Sequence, residues 1–387
     1  MKTIAAALSC ALLLACPFAF GQERSELTVP AGGNGVSQRA EVSQWIGPVK
    51  VSIDYHSPAV HDPNGLDRTG RIWGGLVPYG FVDGGHGPST AVPWRAGANE
   101  STTITFSHDV LVDGMAVKAG TYALFLALQA DGPWEWILSS HVGWGSFQYD
   151  STHDVLRVRA TPVAAAHTEY LTYGFDERRG DSALAFLQWE DKRVPLRIAV
   201  PDVNEIYYRQ MREELEGWPG FRWQNWMTAA RFCAAHKIHL DEALAWADRA
   251  IHEPFRGAAI GHQGFETLET KARVLAAMGR DADADALVDQ AVTMTDADPF
   301  SVYLHVWALT NGGRAGRALA VVDAYRRAHA DDSFWTHLGL ARAYTAAQDK
   351  PHAVREWEFV LQHVPDSERA DIPEFESTLR GLKGKHD

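Results

Sequence analysis

Hydrophobic and polar positions alternate with a period of two residues from Val49 to Val200. The segment VKVSIDY, which begins at Val49, places four apolar side chains on one face and polar ones on the other. TTITF continues the alternation, VDGM at Val112–Met115 supplies an Asp-Gly hairpin turn, and GTYALFLAL is apolar on both faces, as in a central strand. Eight to ten short strands without helical crossovers predict an antiparallel β-sandwich, jelly-roll-like, over residues 49–201.

The period changes to that of an α-helix after Asp202. NEIYYRQMREELEG predicts a linking helix within residues 202–220 that ends at Gly217. From residue 221 to residue 387, small residues with apolar residues four and seven positions later recur at intervals of 41, 34 and 35 residues; the leading residues are Ala243, Ala284, Ala318 and Ala353. This recurrence resembles tetratricopeptide repeats, whose period is about 34 residues. An irregular helical bundle is the alternative. The whole chain is therefore predicted to be a multidomain β + α protein.

The first residues predict export. Lys2 precedes an apolar stretch at Ile4–Cys16 that is too short to span a bilayer, and AFGQ offers a peptidase site after Gly21. Residues 1–21 are therefore predicted to be a signal peptide and residues 22–48 a flexible segment, in a periplasmic or secreted protein. The alternative is a lipoprotein anchored through Cys16. No second apolar run is long enough to span a membrane.

Charge and cysteine usage narrow the functional classes. The formal net charge of −13 argues against nucleic acid or anionic lipid as the main partner. Without residues 1–21 only Cys233 remains, so an internal disulfide is excluded. Cys233 lies within a predicted helix, where a packed thiol is expected rather than a nucleophile. The sequence contains no P-loop, no G-x-S-x-G elbow and no paired C-x-x-C motif.

Several longer motifs resemble one known family. They are GRIWGGLVPYG (70–80), PWRAGANESTTITF (93–106), AGTYALF (119–125), WGSFQYD (144–150) and DVLRV (154–158). The region from Val49 to Val200 resembles a secreted bacterial domain-of-unknown-function family, number 2911. The resemblance implies a secreted β-domain, which helical repeats often follow, and it implies no reaction. One departure is the stretch FVDGGHGPSTAV at residues 81–92, which is longer than the family pattern.

The segment PWRAGANE contains the main candidate site. In one interpretation Arg95 and Glu100 form a buried ion pair that closes the loop over Gly97 and Ala98, which is the outcome we predict. In the other, Trp94 and Arg95 form a platform for a sugar or a carboxylate. The candidate residues, as ligand contacts or as a structural clamp, are Trp94, Arg95, Asn99, Glu100, Arg71 and Tyr79.

Three histidines form a second and less distinctive candidate site. HSPAVHD contains His56 and His61, and the glycine-rich insertion adds His86. Imidazoles are common metal ligands, but Pro58 and Pro63 exclude a helical register, and no compact two-histidine motif is present. We therefore predict no metal and no cofactor.

Two functions are compatible with these features. The first is a non-catalytic envelope protein whose β-domain binds a glycan, peptide or small ligand and whose helices bind a partner protein. The alternative is a metal-dependent periplasmic enzyme, a hydrolase or isomerase, that uses His56, His61 and His86.

Overall fold

The computed structural model describes residues 37–85, 87–252, 254–255, 258–259 and 261–384. The predicted signal peptide, Cys16 and the candidate ligand His86 lie outside the described residues. The chain divides into two compact units. Among the described residues, 37–44 and 50–199 belong to the first unit, here called the β-unit. Val200 and the residues after it belong to the second, the helical unit, which also includes the turn at Trp45–Val49.

The β-unit consists of two antiparallel sheets, as the alternating pattern predicts. The strands are β1 (Gln38–Ile46), β2 (Val49–Ser57), β3 (Thr103–Phe106), β4 (Val110–Val112), β5 (Met115–Val117), β6 (Gly120–Ala127), β7 (Trp134–Ser139), β8 (Asp154–Ala160), β9 (Val163–Asp176) and β10 (Ser182–Ala199). The larger sheet has the order β1-β2-β3-β6-β7-β8, and the smaller one has the order β5-β4-β10-β9. The strand pairs from β2 to β8, and those in the smaller sheet, run antiparallel.

Side chains from both sheets meet in one apolar core. Tyr55 of β2 contacts Tyr173 of β9 with ring centroids 4.8 Å apart, and Trp136 of β7 donates a hydrogen bond of 2.8 Å from Nε1 to the carbonyl oxygen of Pro195 in β10. The predicted hairpin turn lies between β4 and β5. Asp113 and Gly114 both have positive φ there (46° and 83°), as a tight turn between right-twisted strands requires.

The prediction that residues 22–48 form a flexible segment is wrong for residues 38–46, which form β1. This strand lies at the edge of the larger sheet and is mostly exposed or half-buried. Five of the nine residues in its sequence, QRAEVSQWI, are polar, and hydrophobic alternation is a weak signal for such an edge strand.

The helical unit contains ten α-helices among its described residues. They are α1 (Val203–Glu216), α2 (Trp223–His236), α3 (Leu240–His252), α4 (Phe265–Ala277), α5 (Asp281–Ala291), α6 (Pro299–Asn311), α7 (Ala315–His329), α8 (Phe334–Ala346), α9 (Lys350–Gln362) and α10 (Ile372–Lys383). From α2 to α9, consecutive helices pack in pairs, and the four leading alanines of the sequence pattern are buried in α3, α5, α7 and α9. No helix in the described part of the chain is long and apolar enough to cross a membrane.

Candidate functional site

A cavity of about 850 Å³ lies in the β-unit. Its walls combine three arginines, one histidine, several aromatic rings and backbone from the PWRAGANE segment. The lining residues used below are Arg39, His61, Arg68, Trp94, Arg95, Gly97, Ala98, Glu169, Tyr170 and Trp189. This volume falls within the range of known small-molecule sites.

The loop that carries Arg95 has an unfavourable backbone conformation that its neighbours hold in place. Ala96 and Asn99 both have positive φ (47° and 57°); asparagine adopts this conformation readily, but in alanine it costs about 1–2 kcal/mol. The carbonyl oxygen of Ala96 accepts hydrogen bonds from Tyr173 Oη at 2.8 Å and from Thr102 Oγ1 at 3.3 Å. Because both donors are buried, this segment is fixed from beneath.

Gly97 is required by close packing. A Cβ atom at this position would lie 2.5 Å from Thr102 Oγ1 and 3.3 Å from the carbonyl oxygen of His56. The neighbouring backbone N–H of Ala98 donates a hydrogen bond of 3.2 Å to that same carbonyl. The backbone therefore approaches its neighbours closely at Gly97 and Ala98.

Arg95 has no anionic partner among the described residues. Its guanidinium group is half-buried, its Nε has no hydrogen-bond acceptor, and it lies 5.3 Å from the ring centroid of Phe147. Burial lowers the pKa of Arg95, and the negative charge of Glu100 opposes this shift. The side chain passes close to Gly145, where a Cβ atom would lie 2.8 Å from Arg95 Cδ. The site therefore contains a partly buried cation whose Nε donates no hydrogen bond to the described protein atoms.

The predicted ion pair between Arg95 and Glu100 is not formed. Glu100 is 55% exposed at its side chain and instead lies 3.2 Å, at Oε2, from His56 Nδ1. Between Arg95 and Glu100 the chain passes through the left-handed residues Ala96 and Asn99. Each reverses the local course of the backbone, so a separation of five residues does not bring the two side chains together.

The remaining predicted residues lie outside the cavity lining. Asn99 donates from Nδ2 to the carbonyl oxygen of Ser37 at 3.2 Å, which ties the loop to the residue before β1. Arg71 donates to the carbonyl oxygen of Asp67 at 2.6 Å, and Tyr79 Oη donates to that of Trp73 at 3.2 Å. These three side chains hold loops together around the cavity.

The other two lining arginines are already engaged. Arg39 forms an ion pair with Asp54, and Arg68 donates to the carbonyl oxygens of Val60 and Ala59 at 3.1 and 2.9 Å. A ligand with an anionic group would therefore meet Arg95 as the cation whose hydrogen bonds are not used by the described protein atoms.

Four tryptophans pack against one another, and two of them, Trp94 and Trp189, line the cavity; only Trp94 was among the residues predicted from the sequence. Trp94 stacks on Trp189 with centroids 6.1 Å apart, and Trp73 contacts Trp94, Trp189 and Trp134. Trp189 is 1% exposed, and its Nε1 has no acceptor among the described residues, nor has that of Trp73. The cluster joins residues up to 116 positions apart in the chain, so no local pattern could have identified it.

The histidines do not converge on one described ligand set. His56 pairs with Glu100, whereas His61 Nδ1 lies 2.9 Å from Glu169 Oε2. The hydrogen bond to Glu169 raises the pKa of His61 above its usual value. Within the described ranges, no group of three or more histidine, cysteine, aspartate or glutamate residues could hold a metal ion.

A second cavity, of about 830 Å³, lies in the β-unit around Tyr149 and Arg157. Its polar groups are paired with one another: Tyr149 Oη donates to Asp154 at 2.7 Å, and Arg157 donates to Asp154 at 2.6 Å and to Tyr149 Oη at 2.9 Å. Because Arg157 and Tyr149 are already engaged with Asp154, whereas Arg95 has no anionic partner among the described residues, the Arg95 cavity is the stronger candidate.

These features define a two-unit protein, with a β-unit that encloses an arginine- and tryptophan-lined cavity and with a separate helical unit. A family model described as "Protein of unknown function (DUF2911)" matches residues 37–198. The match confirms the resemblance seen in the N-terminal half and extends it to include β1. No curated protein matches the chain.

Proposed function

We propose that the β-unit is a non-catalytic binding domain for a small ligand that carries a carboxylate beside a ring or another flat face. Arg95 is the observation on which this proposal rests. A half-buried guanidinium whose Nε has no acceptor among the described residues is unfavourable in the free protein, and a carboxylate would supply two acceptors in the matching planar geometry. Tyr170, which is exposed, and Trp94 offer flat apolar surface beside it.

Thermal shift measurements test this proposal directly. The chain beginning at Gln22 is screened against amino acids, hydroxy acids and uronic acids, each beside its uncharged amide or neutral sugar. Bound ligand raises the unfolding temperature by mass action. We expect carboxylates, and not their neutral counterparts, to stabilise the wild type and to lose this effect in Arg95→Met. Arg179→Met, an exposed arginine outside the cavity, is the matched control. Equal ligand effects in wild type and Arg95→Met would refute the proposal.

For the helical unit we infer a protein-binding role. The supporting observation is α6, which is apolar on two sides: Val302, Val306 and Leu309 are buried, whereas Phe300, Leu304 and Trp307 are exposed. Exposed apolar side chains that cluster in this way are typical of interaction surfaces.

The pairwise packing of α2 to α9 supports a tetratricopeptide-like array, and the two facing sheets support a β-sandwich.

We also propose that the protein is exported. The support is the sequence of residues 1–21, with its short apolar stretch and its peptidase site after Gly21. Mass spectrometry of the mature N-terminus distinguishes a chain that begins at Gln22 from one lipidated at Cys16.

A further inference from the structure

A hollow of about 420 Å³ lies among α2, α4, α5 and α6. Half of the residues that line it are small, namely Ala234, Ala235, Ala272, Ala276, Ala284, Ala308 and Gly312. Packed helices usually fill the space between them at a density close to that of an organic crystal. Small side chains at these positions therefore leave a gap that larger ones would fill. Ala235, Ala276 and Ala308 are exposed, so the hollow is open to an incoming side chain.

Three arginines from separate elements border this hollow, although the chain as a whole is acidic. They are Arg231 of α2, Arg273 of α4 and Arg314, the residue before α7. Asp285 accepts a hydrogen bond of 2.6 Å from Arg314. Glu269, 2% exposed, forms an ion pair with Arg273 and accepts a hydrogen bond of 2.8 Å from His305.

The charge of Glu269 persists despite its burial. Burial raises the pKa of Glu269, but the hydrogen bond from His305 and the positive charges of Arg273 and Arg231 outweigh it, so the net shift is downward. The described groups around the hollow therefore offer three guanidinium cations against two carboxylates, and an excess of positive charge remains.

Arg231 is the least well satisfied of these cations. Its Nη2 lies 3.3 Å from the carbonyl oxygen of Glu266 and 3.4 Å from Glu269 Oε2, and both distances are long for charge-assisted hydrogen bonds. Its Nε has no acceptor among the described residues. This guanidinium could therefore bind a further carboxylate without losing strong contacts.

The hollow continues onto the exposed apolar stripe of α6. Phe300, Leu304 and Trp307 recur at four and three residues, so they share one side of the helix. Ala308 follows Leu304 by one helical turn and lines the hollow. An extended apolar surface thus lies next to the arginines.

We propose that this hollow binds a segment of a partner protein in which an aspartate or glutamate lies close to an apolar side chain. The apolar side chain enters the alanine-lined space, and the carboxylate bonds to Arg231. The proposal rests on the protein-binding role inferred for the helical unit and names the chemistry of its partner. A basic segment would meet three arginines and be repelled.

Selection from a random library of peptides displayed on phage tests this assignment. The chain beginning at Gln22 is the target, and the enriched peptides are then synthesised and titrated by fluorescence anisotropy. We expect acidic residues next to apolar ones to be enriched. Arg231→Gln is expected to weaken binding about tenfold, as for loss of one charge-assisted hydrogen bond. Ala308→Trp, which fills the hollow, is expected to abolish it.

Matched substitutions outside the hollow serve as controls. Arg327→Gln and Ala320→Trp change exposed residues of α7 that do not line it, and both are expected to keep affinity within about twofold. Far-ultraviolet circular dichroism and the unfolding temperature establish that each variant is folded. Enriched peptides without acidic residues, or acidic peptides that bind Arg231→Gln as tightly as wild type, would overturn the proposal.

Two further outcomes distinguish a failure of the proposed hollow from a failure of the protein-binding role inferred for the helical unit. Peptides that bind the helical unit but are unaffected by Ala308→Trp would place the partner elsewhere, which refutes the hollow and leaves the protein-binding role intact. If no peptide is enriched above an unrelated control protein, both proposals fail.

Discussion

Replacing Arg95 by methionine should leave the β-unit as stable as the wild type or more stable. The wild-type guanidinium is half-buried, and its Nε lacks an acceptor among the described residues. An unsatisfied buried donor costs about 1–3 kcal/mol, and half-burial places Arg95 at the lower end of that range. The contact of Arg95 with Phe147 contributes about 0.5–1 kcal/mol in the opposite direction. Taking about 1–2 kcal/mol for the donor and subtracting about 0.5–1 kcal/mol for the contact gives an expected net stabilisation between about zero and 1.5 kcal/mol.

Hydrogen exchange followed by mass spectrometry is the appropriate assay, because it reports the protection of β6 and β10 separately from that of the helices. A single melting temperature would combine the unfolding of the β-unit with that of the helical unit. For the β-unit alone, a gain of 1 kcal/mol should raise the unfolding temperature by about 2–4 °C. Glu100→Gln provides the comparison. It removes the contact between His56 and Glu100, whose side chain is 55% exposed, and should cost less than about 1 kcal/mol.

The opposite pattern would refute this reasoning. Breaking a buried ion pair by removing one partner costs about 3–5 kcal/mol. If both single variants lost that much, and a double-mutant cycle gave a coupling energy above about 1 kcal/mol, Arg95 and Glu100 would be paired in solution. The interpretation of Arg95 as a cation available to a ligand would then be wrong.

Three further predictions concern single residues. His337 Nδ1 lies 2.6 Å from Glu356 Oε2, and His337 Nε2 lies 2.8 Å from Asp332 Oδ1. Burial lowers the pKa of His337, but the two hydrogen bonds raise this pKa by more than burial lowers it, so the net shift is upward. The resulting gain in the free energy of unfolding should be complete below the ordinary histidine pKa of about 6.5 and should be lost as the pH rises through the raised pKa. Urea unfolding at a series of pH values measures this gain, which should be absent in His337→Gln. Burial raises the pKa of Cys233 to about 11, so its thiol should react with a disulfide reagent only after unfolding, and rapid labelling of the native chain would contradict this packing. Gly97→Ala should destabilise the β-unit by about 1–3 kcal/mol through the contact with Thr102, and unchanged exchange protection would show that the loop can relax.

The sequence predicts those parts of the fold that local patterns determine. Alternation at Val49–Tyr55, the Asp113-Gly114 turn and the buried strand β6 follow from periodicity and turn chemistry, and the structure confirms each of them. The helices follow in the same way, because their buried alanines recur at helical spacing. β1 was missed because a mostly exposed edge strand need not be apolar.

The candidate site was predictable only in part. Trp94 and Arg95 were identified because they lie in one distinctive segment, and both line the cavity. Glu169, Tyr170 and Trp189 complete its walls from β9 and β10. Their positions depend on how the two sheets face each other, which a linear sequence does not encode in any local spacing. The direction in which Glu100 leaves its loop depends on two left-handed residues, and only one of them, Asn99, belongs to a type that commonly adopts this conformation.

Two unfavourable features coincide in the six residues from Arg95 to Glu100. Ala96 has a left-handed backbone, and Arg95 is partly buried with no acceptor for its Nε among the described residues. A segment whose only role was to close a loop could avoid these costs with a glycine at position 96 and an apolar residue at position 95. Instead, Tyr173 and Thr102 hold the segment in this conformation. Natural proteins retain local strain mainly where function requires it. The physical cost of this loop therefore favours the ligand platform over the structural clamp.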